Sequence, residues 1–106
     1  MKYVRMLTAK LPIEKVPEFT RLYEQTVLPT LKPVAGFEGA YLFTDPITGE
    51  GFSLTFWASE QDVIAYEKSG LYTQLLETFR PFFVTEPILK TFQVAVELPV
   101  PATALH

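Results

Sequence analysis

Arg5 interrupts an otherwise apolar run, Tyr3-Val4-Arg5-Met6-Leu7, and a cation in the middle of a strand must find a partner. It can orient an anionic or phenolate ligand, or stabilise developing oxyanion charge. It can equally lie near a rim and pair with an acidic residue. Tyr66 and Tyr72 flank a Ser69-Gly70 break, from which both hydroxyls could be aimed into a pocket beneath a broken helix. The alternative is a pair of amphipathic helix residues with wet tips. Trp57, the single tryptophan, falls on one strand parity with Ala40, Ser53 and Thr55. Small neighbours around a large ring leave space for a ligand cavity, unless the ring itself fills that space. Arg5, Tyr66 and Tyr72 are therefore the candidate catalytic residues. Trp57, Thr55, Phe79 and Phe92 are the candidate substrate contacts, or else the packing that closes the space. Arg80 ends a helix, where a cation complements the dipole. Gln93 either offers a neutral hydrogen bond or faces solvent.

Other chemistries lack their residues. There is no cysteine, so disulfides, thiolate catalysis and cysteine-ligated metals are ruled out for this chain. The one histidine is His106, the last residue, where a frayed end is the expected state. An interior site then lacks the commonest general base, and no transition-metal cluster can be assembled. Glu38 and Glu67 are the acidic residues near the candidate elements; Glu14, Glu18, Glu24, Glu60, Asp62 and Glu77 read as solvated. Neither a glycine-rich phosphate loop nor a dinucleotide fingerprint occurs. The expectation is a protein with no cofactor and no metal.

The elements that must position these residues fit one domain of 106 residues, 48% apolar and 14% aromatic. A net charge of −3 with the two signs interspersed gives no footing for nucleic acid. No apolar run reaches membrane-spanning length, and "MKYVRMLTAK" alternates too regularly for a signal peptide, so a cytoplasmic protein is expected. Residues 2–11 read as a strand apolar on both faces, as a central strand requires. A helix follows, with Phe19, Leu22, Tyr23, Thr26, Val27, Thr30, Leu31 and Val34 on one stripe, Pro17 in its first turn, Pro29 inside it and Gly36 as its C-terminal cap. Gly36–Ser59 reads as two strands around "DPITGE". Ser59 and Asp62 form a capping box for a second helix, broken at Ser69-Gly70 and ended where Pro81 pushes Arg80 out of helical geometry. Residues 88–98 read as the last strand. The domain spans 1–98, and the tail 99–106 is loose or docks outside its own fold.

The order β-α-β-β-α-β gives an α+β, ferredoxin-like, four-stranded antiparallel sheet with both helices on one face. If Thr44 lies opposite Gly51, then Phe37, Tyr41, Phe43, Phe52, Leu54 and Phe56 share one face, and Ala40, Leu42, Ser53, Thr55 and Trp57 share the other. Whichever face the helices leave bare carries several large residues. Aromatics bury about 150–250 Å² each. Three of them exceed a tolerable exposed patch, and a homodimer pairing sheet against sheet is the physical solution.

The stretch "GFEGAYLF…GFSLTFWASEQDVIAYEKSGLYTQL" resembles the antibiotic biosynthesis monooxygenase family of the dimeric α/β-barrel superfamily. Gly36-Phe37-Glu38-Gly39, Phe56-Trp57-Ala58-Ser59-Glu60, Tyr66, Ser69 and Tyr72 carry the resemblance, with "VLPTLKPVAGF" ahead of them. It covers residues 2 to about 97 and implies a dimeric α/β barrel. That family includes cofactor-free oxygenases that turn polycyclic phenols into quinones, haem degraders and an isomerase-type enzyme. The resemblance argues against haem breakdown: Tyr66 stands where the degraders carry a tryptophan, and Leu76 where they carry the haem-ligating histidine. It implies a cofactor-independent oxygenase acting on a small aromatic or polyketide-like molecule. The alternatives are a non-catalytic ligand-binding or stress-related barrel, or an isomerase on a small oxygenated metabolite.

Overall fold

The computed structural model describes residues 1–98. The expected tail, and His106 with it, lie outside the described residues. The chain runs β1 (Tyr3–Lys10), α1 (Val16–Leu31), β2 (Phe37–Thr44), β3 (Glu50–Trp57), α2 (Glu60–Ser69), α3 (Leu71–Phe79) and β4 (Ile88–Gln93). Short 3-10 turns at Ile13–Lys15 and Arg80–Phe82 precede α1 and follow α3. The sheet order is β2-β3-β1-β4, antiparallel throughout. The expected βαββαβ ferredoxin-like α+β fold is therefore the one observed. β1 is paired on both edges and apolar on both faces, as a central strand must be.

Thr44 does lie opposite Gly51, so the expected parity holds along the hairpin. It fails at one end. Phe37 pairs with Trp57 while Gly39 pairs with Phe56, so Glu38 is an extra residue in β2. This bulge turns Phe37 to the opposite face from Tyr41 and Phe43, and its ring packs edge-on against Trp57 at 5.6 Å. The helices cover the face with the smaller residues. Their shared core includes Phe19, Tyr23 and Val27 of α1, Val63 and Tyr66 of α2, Leu75 and Phe79 of α3, and Trp57 of the sheet. The large apolar residues of the other parity face away from the helices: Tyr41, Phe43, Ile88 and Phe92 are 59%, 50%, 58% and 47% exposed.

Four expected boundaries move. α1 stops at Leu31, so Val34 lies beyond it, and Gly36 serves the turn into β2 with φ 81° instead of capping the helix. Pro29 does sit inside α1, in its last turn. Arg80 keeps helical angles, φ −52° and ψ −38°, because the chain tightens into a 3-10 turn ahead of the extended Phe83. β4 ends at Gln93, since β1 begins at Tyr3 and offers nothing further to pair with beyond one bond, from Val94 N–H to the Lys2 carbonyl at 2.8 Å. Ser59 caps α2 as expected, accepting from Asp62 N–H at 3.2 Å and donating to Asp62 Oδ2 at 2.8 Å.

Two glycines with positive φ have different reasons for being glycine. At Gly70, φ 84°, a Cβ would meet nothing within 4 Å. At Gly36, φ 81°, a Cβ would fall 2.1 Å from Cγ of Asp62. Gly70→Ala is therefore expected to cost about 1–2 kcal/mol from backbone strain alone. Gly36→Ala adds a collision with the α2 cap, and should lower the urea unfolding midpoint clearly further than Gly70→Ala does. Equal midpoints for the two variants would contradict this assignment.

Candidate functional site

The site forms where the break in the second helical segment crosses the centre of the sheet. β1 places Arg5 directly opposite Thr55 of β3 and Thr91 of β4, on the helix-covered face. Gly70, in left-handed conformation, ends α2 and starts α3. Ser69 holds the break by donating its hydroxyl to the Tyr66 carbonyl at 2.6 Å. Tyr66 is thereby left in the last turn of α2 and Tyr72 in the first turn of α3, with ring centroids 6.3 Å apart. Both rings face the guanidinium, whose central carbon lies 4.1 Å from the Tyr72 ring centroid and 5.1 Å from that of Tyr66.

Arg5 is 4% exposed. Its Nη2 lies 3.2 Å from Oε2 of Glu67, whose side chain is 42% exposed. The alignment makes this an ion pair without a hydrogen bond, and Nη2 and Nε of Arg5 have no hydrogen-bond partner. Of the two readings of Arg5, rim pairing and ligand contact, the geometry contains elements of both.

A cavity of about 70 Å³ opens between sheet and helices, lined by Arg5, Thr55, Tyr66, Tyr72 and Phe79 together with hydrocarbon side chains. Five of the seven sequence-predicted site residues thus line one space. The other two do not. Trp57 is fully buried behind the cavity, its ring stacked on Tyr66 at 4.6 Å and its indole N–H donated to Oγ1 of Thr55 at 2.9 Å. It fills the space it was expected to border, and acts on the cavity through Tyr66 and Thr55. Phe92 pairs with Val4 and points to the opposite face of the sheet, since β4 alternates in step with β1. Arg80 does not lie at the cavity; it pairs with Glu77 and Glu86 at 3.1 and 3.3 Å. Gln93 is exposed beside Met1 Sδ.

Sequence reading missed Tyr23 and Ser53, whose hydroxyls bond at 2.7 Å across the cavity wall. The signal was present: a tyrosine on the apolar stripe of α1 needs a buried partner, and Ser53 is a polar residue on the small-residue parity. Leu76 also lines the cavity, presenting hydrocarbon at the position where the resemblance puts a haem-ligating histidine in haem degraders. Among the described residues, no group of three His, Cys, Asp or Glu is placed to hold a metal ion. No helix among them is long and apolar enough to cross a membrane.

Burial pushes the Tyr66 phenol up from 10.0 to about 12, partly opposed by the positive charge of Arg5. Burial also raises Tyr72 and Tyr23, opposed by Arg5 at the first and by the Ser53 hydrogen bond at the second. At neutral pH these phenols are protonated hydrogen-bond donors, not bases.

A ferredoxin-like sheet with helices on one face is the fold of the α/β-barrel class of protein. The chain belongs to the antibiotic biosynthesis monooxygenase family, whose sequence profile matches residues 3–78. No functionally curated protein matches it significantly. Among solved structures it is similar to a monooxygenase of Streptomyces coelicolor in complex with nanaomycin D, at 17% identity over 92% of each chain and TM-score 0.76. It is also similar to a protein of Mycobacterium tuberculosis, at 11% identity over 93% of this chain and 100% of that one, TM-score 0.73. A haem degrader of Mycobacterium tuberculosis, solved with two haems in its active site, matches at 17% identity over 92% and 99%, TM-score 0.68. At these identities the likeness is one of fold.

A phenol whose folded value is raised stabilises the fold fully below its unfolded value and loses that contribution as pH rises through the folded value. For Tyr66 the window runs from pH 10.0 to about 12. Unfolding free energy measured by urea titration should fall through this window, by on the order of 2 kcal/mol for Tyr66 alone. In Tyr66→Phe the fall should be visibly shallower, with Tyr23, Tyr72, Tyr3 and Lys2, all raised as well, contributing to what remains. An unchanged pH profile in Tyr66→Phe would show that the hydroxyl is not held in a dry site.

Proposed function

We propose that the chain is an oxygenase that works without metal or flavin on a small electron-rich aromatic molecule held between sheet and helices. The observation that carries this reading is Arg5, a buried cation at the wall of a hydrocarbon-lined cavity, with Nε and Nη2 making no hydrogen bond and Nη2 held only by an ion pair to Glu67. Such a group can hold the negative charge that appears on a phenol-type substrate when it ionises and gives up electrons. The chemistry balances with molecular oxygen as the one oxidant. A ring CH₂ of the keto tautomer loses a proton, and the carbanion passes one electron to O₂. The two radicals join in a C–O bond to give a hydroperoxide. Its O–O bond then breaks as the remaining C–H proton leaves, and the products are a carbonyl, as in a quinone, and water. The protein supplies a dry cavity and donors to the oxyanion, with Arg5, Tyr66 and Tyr72 as the groups nearest the reacting atoms. Thr55 and Phe79 hold the ring, and Trp57 supports Tyr66 from behind.

One observation favours a non-catalytic binding module instead. No carboxylate or imidazole lines the cavity, and its phenols are held protonated, so the first proton has no acceptor inside it. Glu67, at 3.2 Å from Arg5, is the nearest carboxylate to the guanidinium. Oxygen uptake separates the two readings. In the oxygenase reading, at least one member of a panel of hydroquinones, naphthols and anthrones consumes one O₂ per carbonyl formed. Tyr66→Phe should then lower kcat about ten- to a hundredfold with little change in affinity, because only a contact made in the transition state is lost. Saturable quenching of Trp57 by these compounds without any oxygen uptake would establish the binding module.

The same reading includes a homodimer. Tyr41, Phe43, Phe52, Leu54 and Phe56 form a continuous apolar strip on the sheet face that no helix covers. A second copy brings an identical strip, and its two-fold pairing closes the barrel. Sedimentation at micromolar concentration should give twice the chain mass. Phe43→Glu, at a half-exposed position outside the core, should give a folded monomer; a wild-type monomer at that concentration would remove the barrel from the proposal.

A further inference from the structure

The sheet floor under the helices runs in rows. In one row Ala40, Thr55, Arg5 and Thr91 lie side by side across β2, β3, β1 and β4. In the next, two residues along each strand, lie Leu42, Ser53, Leu7 and Leu89. Residues two apart on a strand are separated by roughly 7 Å. The first row carries the charge. The second is hydrocarbon except for Ser53. Tyr23 of α1 reaches down to that serine, and the two hydroxyl oxygens lie 2.7 Å apart. Both residues line the cavity, and Tyr23 is 7% exposed. The surroundings are apolar, with the Tyr23 ring packed against Phe19 and Phe79 at 6.4 and 6.2 Å. The cavity therefore has two polar places, a cationic one beside Thr55 and an uncharged one beside Leu7.

The hydroxyl pair is not saturated by its own bond. Two hydroxyls bring two protons and four lone pairs, and one bond between them uses one of each. One proton and three lone pairs are left on oxygens whose residues line the cavity. A phenol is a stronger acid than an alcohol, so Tyr23 is the better donor and Ser53 keeps the free proton. Either oxygen can donate, so the pair can also reverse and present the Tyr23 proton instead. Burial raises the Tyr23 phenol, which stays protonated and keeps this place neutral. A carbonyl oxygen accepts the free proton, and a hydroxyl oxygen accepts it while donating to a spare lone pair. A charged group finds no counter-charge among Leu42, Leu7 and Leu89.

We propose that the Tyr23–Ser53 pair is a specificity-determining subsite that takes a neutral carbonyl or hydroxyl oxygen at the end of the ligand remote from Arg5. The cavity then selects molecules with oxygen at both ends over molecules with oxygen at one. This rests on the cavity being the ligand site of the proposed function, and it concerns which molecules are held, whether or not they are oxidised. A pair that only ties α1 to β3 would affect stability and leave the choice of ligand unchanged.

The test is oxygen-free equilibrium dialysis with isomers of equal composition, at about pH 6, well below phenol ionisation. Hydroquinone is compared with catechol, and 2,6-dihydroxynaphthalene with 2,3-dihydroxynaphthalene. The first of each set has its oxygens at opposite ends, and the second has both at one end. In at least one set the end-to-end isomer should bind wild-type protein about three- to tenfold more tightly, the gain expected of one added neutral hydrogen bond. Removing one hydroxyl orphans its partner, so the main variant removes both, Tyr23→Phe together with Ser53→Ala, and keeps the ring. It should fold, hold the one-ended isomers within about twofold of wild type, and show no preference. Ser53→Ala alone, the smaller change, should at least halve the preference, and it decides the matter if the double variant does not fold. Equal binding of the isomers in both sets, or a preference unchanged in these variants, would overturn the subsite and leave the cavity as a ligand site. Failure of every isomer to bind would overturn both. A preference without oxygen uptake would uphold the subsite and remove the oxygenase.

Discussion

A guanidinium held at 4% exposure in the middle of a sheet is costly to desolvate, and its surroundings are arranged around that cost. The strand positions beside it, Thr55 and Thr91, are short, which leaves the charge room above the sheet. The helix above is broken at Gly70 so that two tyrosine rings can turn their electron-rich faces toward it. Each such contact is worth about 1–2 kcal/mol in a desolvated setting. Glu67 adds an ion pair to one nitrogen. What stays without any partner is Nε, at roughly 1–3 kcal/mol, while Nη2 has the ion pair but no hydrogen bond. A leucine or methionine at position 5 would avoid that loss, so the buried charge costs the fold stability that its packing does not return.

Trp57 shows how the core serves this charge without touching it. It is fully buried, and a large residue there anchors β3 against the helices. The same ring supports the face of Tyr66 away from the cavity and ties up the oxygen of Thr55. One packing residue therefore fixes the orientation of two groups that line the cavity, which is why its position close to small neighbours reads equally well as core and as site. The break at Gly70 works in the same way. It ends one helix and begins another as any left-handed glycine can, and it sets Tyr66 and Tyr72 at the separation needed to flank one cation.

Parity makes most of this legible in the sequence. Alternation along the hairpin, with the turn fixing Thr44 opposite Gly51, is enough to assign Thr55 and Trp57 to one face, and Arg5 joins them through the β1–β3 register. The same logic fails where strand regularity fails. The extra residue at Glu38 reverses Phe37, and nothing in "GFEGAYL" marks which residue is the bulge. Phe92 reads as a cavity residue, lining or filling it, from the apolar parity of the last strand. Its pairing with Val4 puts it on the outer face, and that pairing depends on where β4 begins relative to β1, a tertiary fact. Tyr23 reads only as a helix-stripe residue, because its partner Ser53 lies 30 residues away and hydroxyl pairs leave no local pattern. The end of α1 comes early because Pro33 has no N–H to continue the helix after Lys32, which itself keeps helical angles, and a stripe that continues to Val34 does not override the backbone.

The sorting of side chains by size between the two faces of the sheet ties the cavity to the outer strip. Ala40, Ser53 and Thr55 face the helices, and Tyr41, Phe52 and Phe56 face away. A lone two-layer domain would do the reverse, filling the covered face with its largest residues and leaving small polar ones outside. Here the covered face keeps short residues around Arg5 and carries Trp57 and Phe37 at one end, so a cavity remains between the sheet and the helices beside Arg5. The outward aromatics form a continuous apolar strip of the size that marks an interaction surface. Exchanging the two sets would fill the cavity and remove the outer strip in one step. The distribution around Arg5 is thus a single constraint on the sequence with two consequences, an internal space beside the charge and an apolar strip on the outer face.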